Sequence, residues 1–303
     1  MLKKDETNIT LGEAMEKYIL IKSHVLSPST IRGYSKIHKN NLEYLKKMKL
    51  NKLTNNIVQS AINDESINHK PKTVKNIYGF LTAVLNLYYP DFQLKITLPQ
   101  LEKRIIKMLN EDQLATLIKV VENKSYEIPV LLALWLGLRQ SEIFGLKWDC
   151  VDFDNSLIII KQAKVRNKDD KHVLKTTKTY SSMRILKADK YIMDKIKVLP
   201  KTSEFLFNTT GNNIYKSYKR MLARNNLPDI SFHSLRMLNA SIMLKLGIQD
   251  KYAMNRGGWN TEYTIKKVYQ QLFDEERNVV DNIVDSYFSS LLSHELSHEK
   301  END

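Results

Sequence analysis

Apolar residues recur at helical spacing through the first ninety residues, between short polar connections. Thr10 is placed as an N-cap, and Glu13 three residues later completes a capping box for the first helix. Ser27 followed by Pro28 marks the next helix start, because proline suits the first helical turn. The pattern predicts helices from Leu11, from Pro28, from beyond Thr54 and from about Pro71 to Tyr88. We therefore expect a small all-α domain here.

Helical and alternating patterns are mixed in the rest of the chain. Residues 91–107 hold Pro99 and two charged runs without periodicity, which predicts an extended linker. Asn110 is then placed as an N-cap, and an apolar run at 128–138 predicts a helix closed by Arg139. Strands are predicted at 156–165, 172–177 and 182–188, and further helices at 214–225, 233–246, 249–256 and 261–273. The fold class is α+β, with an all-α domain before a mostly helical domain that carries a small antiparallel three-stranded sheet.

Five segments follow from these patterns: an extension at 1–8, a helical domain at 9–90, a linker at 91–107, a larger domain at 108–278 and a tail at 279–303. The tail begins with VVDNIVDSYFSSLL, whose apolar residues have near-helical spacing. This stretch either docks on a neighbouring protomer or packs on its own domain, and the pattern leaves both open.

Charge indicates the partner. The formal net charge is +13, and residues 1–106 hold 17 Lys and Arg against 9 Asp and Glu. Such an excess favours nucleic acid over the alternative of a basic surface that only aids solubility. Lysines and an arginine on the predicted second and fourth helices are our candidates for phosphate contacts, with a solvated helix face as the alternative: Arg32, Lys36, Lys39, Lys72 and Lys75.

Other classes of protein are disfavoured. No apolar run reaches the roughly 20 residues of a membrane helix, and the first residues lack the apolar core of a secretory signal, so we expect a cytoplasmic protein without a membrane partner. Cys150 is the only cysteine, which leaves neither an internal disulfide nor a zinc pattern. We also find no phosphate-binding Walker loop and no carboxylate cluster, and we expect no cofactor and no metal.

Two arginines stand in settings that call for an anion. Arg139 follows eleven apolar or small residues, so its guanidinium emerges from the core and needs either a bound phosphate or Glu142 as partner. Arg236 and His233 share one face near the start of a helix capped by Ser231, where free N–H groups and the helix dipole attract anions. A core histidine is the alternative for His233.

Strings around these residues resemble boxes of the tyrosine recombinase, or phage integrase, family. LGLRQSEIFGLKW contains Arg139, FHSLR contains His233 and Arg236, TKTYSSMRIL contains Lys178, and GGWNTEYTIKKVY contains Trp259 and ends at Tyr269. The four strings occur in the family's order, and the helical 9–90 region resembles its SAM-like core-binding domain. Gly-His is commoner in the family where Gly258-Trp259 stands here, and an indole donates a hydrogen bond but transfers no proton.

The resemblance implies a catalytic set of Arg139, Lys178, His233, Arg236, Trp259 and Tyr269. Tyr269 would attack a phosphodiester that the two arginines hold, Trp259 would support the same oxyanion, and His233 would take the phenolic proton. Lys178 would protonate the leaving 5′ oxygen, with Lys175 as the alternative lysine. No ATP or metal is needed, because the 3′-phosphotyrosyl bond conserves the energy of the cut bond.

The implied function is site-specific recombination that integrates or excises a mobile element or phage, and the implied partners are double-stranded recombination sites, three further protomers of a homotetramer and an accessory DNA-bending protein. In a bacterium the protein would be nucleoid-associated. A chromosome or plasmid dimer resolvase is the first alternative. A type IB topoisomerase, a catalytically inactive DNA-binding regulator and a basic scaffold stay open as further alternatives.

Overall fold

The computed structural model describes residues 6–101, 108–176, 183–209, 211–259, 261–263, 265–266 and 281–289. The chain divides into two compact units. The N-terminal unit comprises residues 1–104 together with 164–175, and the C-terminal unit comprises 105–163 together with 176–303.

Helices predominate in the N-terminal unit. They are α1 (Leu11–Lys22), α2 (Pro28–Asn40), α3 (Glu43–Lys46), α4 (Asn55–Asn68) and α5 (Pro71–Tyr88). The predicted capping box is present, because the Thr10 hydroxyl accepts from the Glu13 backbone N–H and the Glu13 carboxylate accepts from that of Thr10. Ser27 caps α2 as predicted. This helix stops at Asn40, since Leu42 adopts a left-handed φ of 56° that turns the chain into α3.

Apolar side chains of α1, α4 and α5 form the core of the N-terminal unit. Tyr34 stacks on Phe80 at 4.2 Å between ring centroids, and Tyr18 meets both rings edge-on. Residues 92–101 have no regular secondary structure, yet they dock on α4. Gln59 fixes them there, because its side-chain amide donates to the Thr97 carbonyl and accepts from the Thr97 N–H.

The C-terminal unit contains seven α-helices among the described residues between 108 and 259. They are α6 (Glu111–Val121), α7 (Glu127–Leu134), α8 (Gln140–Ile143), α9 (Lys190–Lys197), α10 (Gly211–Arg224), α11 (Phe232–Lys245) and α12 (Asp250–Gly257). The predicted Asn110 cap of α6 is confirmed, with Gln113 completing its capping box. All residues of α7 are buried, and α11 packs along it. This pair of helices is the centre of the core and carries the arginines discussed below.

In the described ranges of the chain, five strands form two small antiparallel sheets. They are β1 (Val151–Asp152), β2 (Leu157–Ile160), β3 (Gln162–Arg166), β4 (His172–Thr176) and β5 (Arg184–Lys187). The three-stranded sheet has the order β1-β2-β5, and Ile158 is the register partner of Leu186. The other sheet pairs β3 with β4. On β5, Arg184 and Leu186 are buried while Ile185 and Lys187 are exposed. An arginine therefore points into the core.

Two predicted elements have different bounds. The helix expected at 128–138 ends at Leu134, because Gly137 adopts a left-handed φ of 67° that breaks it before Arg139. The strand expected at 156–165 is two strands that belong to different sheets, divided at Lys161. The α+β fold class with a small antiparallel three-stranded sheet is confirmed, although β1 takes the place predicted for the strand at 172–177.

A helix covers residues 281–289 within the predicted tail, and its apolar side chains Ile283, Val284, Tyr287 and Phe288 are exposed. In the part of the chain that the structure describes, no helix is long and apolar enough to span a membrane.

Candidate active site

The turn between α7 and α8 places Arg139. Gly137 takes a left-handed conformation there, and a Cβ atom on it would lie 2.7 Å from the Asn239 Oδ1 atom, so no larger residue fits. Arg139 is the N-cap of α8 rather than the last residue of α7. Its side chain is 44% exposed, and its Nη2 donates to the Gly258 carbonyl at 2.8 Å. One edge of the guanidinium is thereby fixed while the group stays open to solvent.

Glu142 binds two arginines at once. Its Oε1 accepts from Arg139 Nη1 at 2.7 Å and from Arg184 Nη1 at 3.2 Å. Its Oε2 accepts from the Arg139 backbone N–H and from Arg184 Nη2, each at 2.8 Å. Burial alone would raise the pKa of this carboxyl, but the hydrogen bonds and charges of Arg184 and Arg139 outweigh burial and lower the pKa to about 2. Glu142 is therefore ionised at neutral pH.

Arg236 is the most deeply buried of the three arginines, with 1% of its surface exposed. Its Nη1 donates to the Gly137 carbonyl, and its guanidinium carbon lies 4.6 Å from the ring centroid of Trp259. Its Nη2 is buried and has no hydrogen-bond partner among the residues that the structure describes. Burial, and next the charge of Arg139, lower the pKa of Arg236 to about 9. The cation is held at a free-energy cost that a bound anion would offset.

Trp259 and Gly258 close the site from α12. Gly258 has a φ of 64°, and a Cβ on it would lie 2.9 Å from Arg184 Nη1. The left-handed turn after α12 directs the Gly258 carbonyl at Arg139 and brings Trp259, 8% exposed, over Arg236. The bare backbone of one glycine thus lets two arginines approach the same turn.

His233 lies at the start of α11. The predicted Ser231 cap is confirmed, since its hydroxyl accepts from the Ser234 N–H. His233 is exposed while Arg236, one turn later, is buried. The helix N-terminus adds a partial positive charge beside the arginines.

The arginine cluster has a surplus of positive charge. Arg139, Arg184 and Arg236 surround the single carboxylate of Glu142, so the described part of the cluster keeps two positive charges. The predicted alternative, a neutral Arg139–Glu142 pair, is only half of the arrangement, because Arg184 takes up the same carboxylate. A planar fork at Arg139 and the Nη2 of Arg236, which no described residue engages, suit two oxygens of one phosphate.

The other predicted site residues lie outside the described residues or in the N-terminal unit. Lys178 and Tyr269 lie outside the described residues. Lys175 is on β4. Four of the candidates for DNA phosphate contacts, all in the N-terminal unit, are exposed: Lys36, Lys39, Lys72 and Lys75. Arg32 is instead paired with Asp170, to which its Nε donates at 2.6 Å.

Arg184 was missed by reasoning from sequence, although a signal for it exists. The string RILK alternates, so Arg184 shares a face with Leu186, and an apolar Leu186 predicts that this face is buried. An inward arginine requires a buried anion. The contribution of the Gly258 carbonyl has no comparable signal.

Comparison with known proteins supplies the class. A family described as phage integrase family matches residues 107–276, and one described as phage integrase, N-terminal SAM-like domain, matches residues 10–66. A tyrosine recombinase XerC-like protein of Caldanaerobacter subterraneus subsp. tengcongensis is 23% identical, over 91% of this chain and 83% of the relative.

Solved structures share the fold. The Tn1549 transposon integrase in complex with transposon right end DNA matches with a TM-score of 0.72 at 17% identity, over 90% of this chain and 100% of the solved chain. A lambda integrase tetramer bound to a Holliday junction matches with a TM-score of 0.63 at 16% identity, over 86% of this chain and 77% of the solved one. The matched family models and the relative are those of enzymes that cleave and rejoin DNA at specific sites. The chain belongs to the phage integrase family of tyrosine recombinases.

Proposed function

We propose that this recombinase integrates or excises a mobile element, and that Arg139 and Arg236 bind the non-bridging oxygens of the phosphate that is cut. The observation that carries the assignment is the buried Arg236 Nη2, which has no partner among the described residues and lies in a cluster with a surplus of two positive charges. Preorganised hydrogen-bond donors stabilise the negative charge that grows in the pentavalent transition state.

Tyr269 and Lys178 enter the mechanism through the resemblance of their strings. The Tyr269 phenolic oxygen forms a bond to phosphorus while the bond from phosphorus to the 5′ oxygen breaks. His233 accepts the phenolic proton, and Lys178 donates a proton to the departing 5′ oxygen. Trp259, which covers Arg236, keeps that arginine in place and donates from its indole N–H to the oxyanion. A 5′ hydroxyl of the partner strand then attacks the phosphorus, and the bond from phosphorus to the Tyr269 oxygen breaks.

Strand exchange between two duplexes needs four active sites, and we propose a homotetramer on DNA assisted by a DNA-bending protein. The lambda integrase tetramer supports this proposal as a protein of the same fold. The exposed apolar side chains at 281–289 support a contact with a neighbouring protomer. Residues of the N-terminal unit, with their exposed lysines, would lie on the flanking phosphates.

Covalent trapping tests the proposal. The chain is incubated with fragments of the genome that encodes it, denatured, and the DNA that stays attached to protein is sequenced. We expect attachment through a 3′ phosphate at the ends of a mobile element, loss of attachment in Tyr269→Phe, and wild-type attachment in the matched control Tyr263→Phe, since Tyr263 is an exposed tyrosine of the same region.

The alternatives give different results in the same experiment. Attachment at a single chromosomal locus without a neighbouring element would indicate dimer resolution. Relaxation of a supercoiled plasmid without exchange between two sites would indicate a type IB topoisomerase. Salt-dependent DNA binding without any covalent product in the wild type would indicate an inactive regulator and would overturn the proposal.

A further inference from the structure

Arg184 is a buried arginine to which the mechanism above gives no step. It lies on β5, and 5% of its side chain is exposed. Its guanidinium makes two hydrogen bonds to Glu142 and a third, from Nε, to the Arg256 carbonyl at 3.1 Å. A buried charge with this many fixed partners is held in one orientation.

The carboxylate of Glu142 is held from two sides. Arg184 and Arg139 each donate to both of its oxygens, Arg139 using its backbone N–H for one of them. If Arg184 were absent, Arg139 would be the one described arginine still hydrogen-bonded to Glu142, and the carboxylate would be free to rotate about its side-chain bonds. It would also neutralise Arg139 more fully, because Arg184 would no longer share its charge.

Arg184 also reaches the opposite wall of the site. Its Nε holds the Arg256 carbonyl near the end of α12, two residues before Gly258. The Gly258 carbonyl in turn accepts from Arg139 Nη2. Arg139 therefore has two supports, the Glu142 carboxylate and the Gly258 carbonyl, and Arg184 contacts the segments that carry both.

We infer that Arg184 is a positioning residue for DNA cleavage: it holds Glu142 and the end of α12 so that Arg139 keeps both its orientation and its charge for the phosphate. This inference rests on the proposed role of Arg139. Arg184 touches no substrate, because its side chain is buried and its donors point at Glu142 and Arg256.

The test compares three variants of the full chain. Arg184→Met keeps most of the side-chain volume and removes the charge, and Arg184→Lys keeps the charge without the two-pronged geometry. Leu186→Ala is the matched control: Leu186 is a buried residue of the same strand, and its truncation opens a cavity but removes no hydrogen bond to Glu142, because the leucine side chain has no donor.

Cleavage is measured in single-turnover experiments at saturating DNA. We expect Arg184→Met to cleave about 100-fold more slowly and Arg184→Lys about 10-fold more slowly, with DNA affinity within about threefold of wild type. Leu186→Ala is expected to cleave within about twofold of wild type at a temperature where it is folded. In the Glu142→Gln background, Arg184→Met should slow cleavage further by less than about threefold, because the two residues act through one contact. Arg184→Met that cleaves as fast as Leu186→Ala would overturn the inference.

A second measurement does not depend on cleavage. Binding of inorganic phosphate is followed through the indole N–H signal of Trp259, assigned with Trp259→Phe. We expect about tenfold weaker binding in Arg184→Met and unchanged binding in Leu186→Ala. If the wild type binds phosphate but never cleaves DNA, the proposed function fails, and equal phosphate binding by Arg184→Met and wild type would separately overturn the role of Arg184.

Discussion

The two units of the chain carry their charge in different ways. In the described part of the N-terminal unit, Lys36, Lys39, Lys72 and Lys75 are exposed on helices whose buried faces are apolar. In the C-terminal unit, arginines and carboxylates lie within the core, and the described buried ones are Glu127, Glu142, Arg184 and Arg236. Both units present cations, but the free-energy cost of holding these charges differs greatly.

Exposed cations cost little and bind a phosphate backbone in many registers, whereas buried cations are costly and bind in one geometry. From this difference we expect affinity for DNA and chemistry on DNA to have separate origins in this chain. Variants of the C-terminal unit should change the cleavage rate and the folding free energy. Variants of the N-terminal unit should change affinity and its salt dependence.

The largest effect is expected from Arg236→Met. Cleavage at saturating DNA should fall about 1,000-fold, the loss typical of a donor that stabilises transition-state charge. The loss of cleavage should not be matched by a comparable loss in the free energy of unfolding, because the variant removes a buried guanidinium whose Nη2 has no described partner. All three tryptophans, at positions 135, 148 and 259, belong to the C-terminal unit, so tryptophan fluorescence during urea unfolding reports on that unit.

Arg256→Met is the matched control, because Arg256 is half-buried, contacts the Trp135 carbonyl at 3.4 Å through Nη2 and has no assigned step. It should cleave within about tenfold of wild type. Loss of cleavage in Arg236→Met that merely follows unfolding would remove the distinction between the two units.

Glu142→Gln should affect both rate and stability. We expect cleavage to fall about 30-fold, since Arg139 loses the charged one of its two supports. The lowered pKa of Glu142, about 2 in the folded chain, means that its stabilising contribution is complete above the ordinary carboxyl pKa and is lost as pH falls towards 2. The variant should therefore be less stable than wild type by about 3 kcal/mol at pH 7, and this difference should close between about pH 4.5 and pH 2.

Urea unfolding at a series of pH values measures this difference. Glu204→Gln is the control, because Glu204 is an exposed carboxylate paired with Lys147, and ion pairs that water reaches contribute at most about 1 kcal/mol. A stability difference for Glu142→Gln that stays constant from pH 7 to pH 2 would show that Glu142 is not the ionised partner of the arginines.

Much of this organisation was predictable from sequence. Helix starts at Leu11, Pro28 and Glu111 follow from local caps, because an N-cap is a contact between residues three apart. Arg139 and Arg236 were found because an arginine beside an apolar run or a helix cap needs an anion. Their place together follows from α11 packing on α7, which local pattern does not give.

The rest depends on contacts distant in sequence. Residues 156–165 resemble one strand in sequence, and only the pairing of β2 with β5 and of β3 with β4 shows that they belong to two strands divided at Lys161. Arg184 and Glu142 are 42 residues apart, and the Gly258 carbonyl is 119 residues from Arg139. No periodicity within a window of one helix or strand reports such a pairing.

Removing lysines from the N-terminal unit should weaken binding without slowing the chemistry. For the double variant Lys72→Ala with Lys75→Ala, we expect about fivefold weaker DNA binding and a reduction of about 2 in the slope of log affinity against log salt, if each lysine neutralises one phosphate. The same holds for Lys36→Ala with Lys39→Ala. Cleavage at saturating DNA should stay within about twofold of wild type.

Lys190→Ala with Lys197→Ala, on α9 of the C-terminal unit, is the control with the same change in net charge. If it lowers affinity and slope equally, the four lysines act only through total charge and the N-terminal unit has no special phosphate contacts.

The smallest effect concerns Arg32, which is paired with Asp170 on the β3–β4 connection. Arg32 is a predicted phosphate contact, and a carboxylate at hydrogen-bond distance competes with phosphate for the same guanidinium. Asp170→Asn should therefore increase DNA affinity by about threefold at low salt, and Asp169→Asn, which removes a neighbouring exposed charge, should increase it by less than about 1.5-fold. In the Arg32→Met background the gain from Asp170→Asn should shrink to that of Asp169→Asn. An equal gain in both backgrounds would mean that Asp170 acts on the whole field of the unit, and that the Arg32 pair is structural.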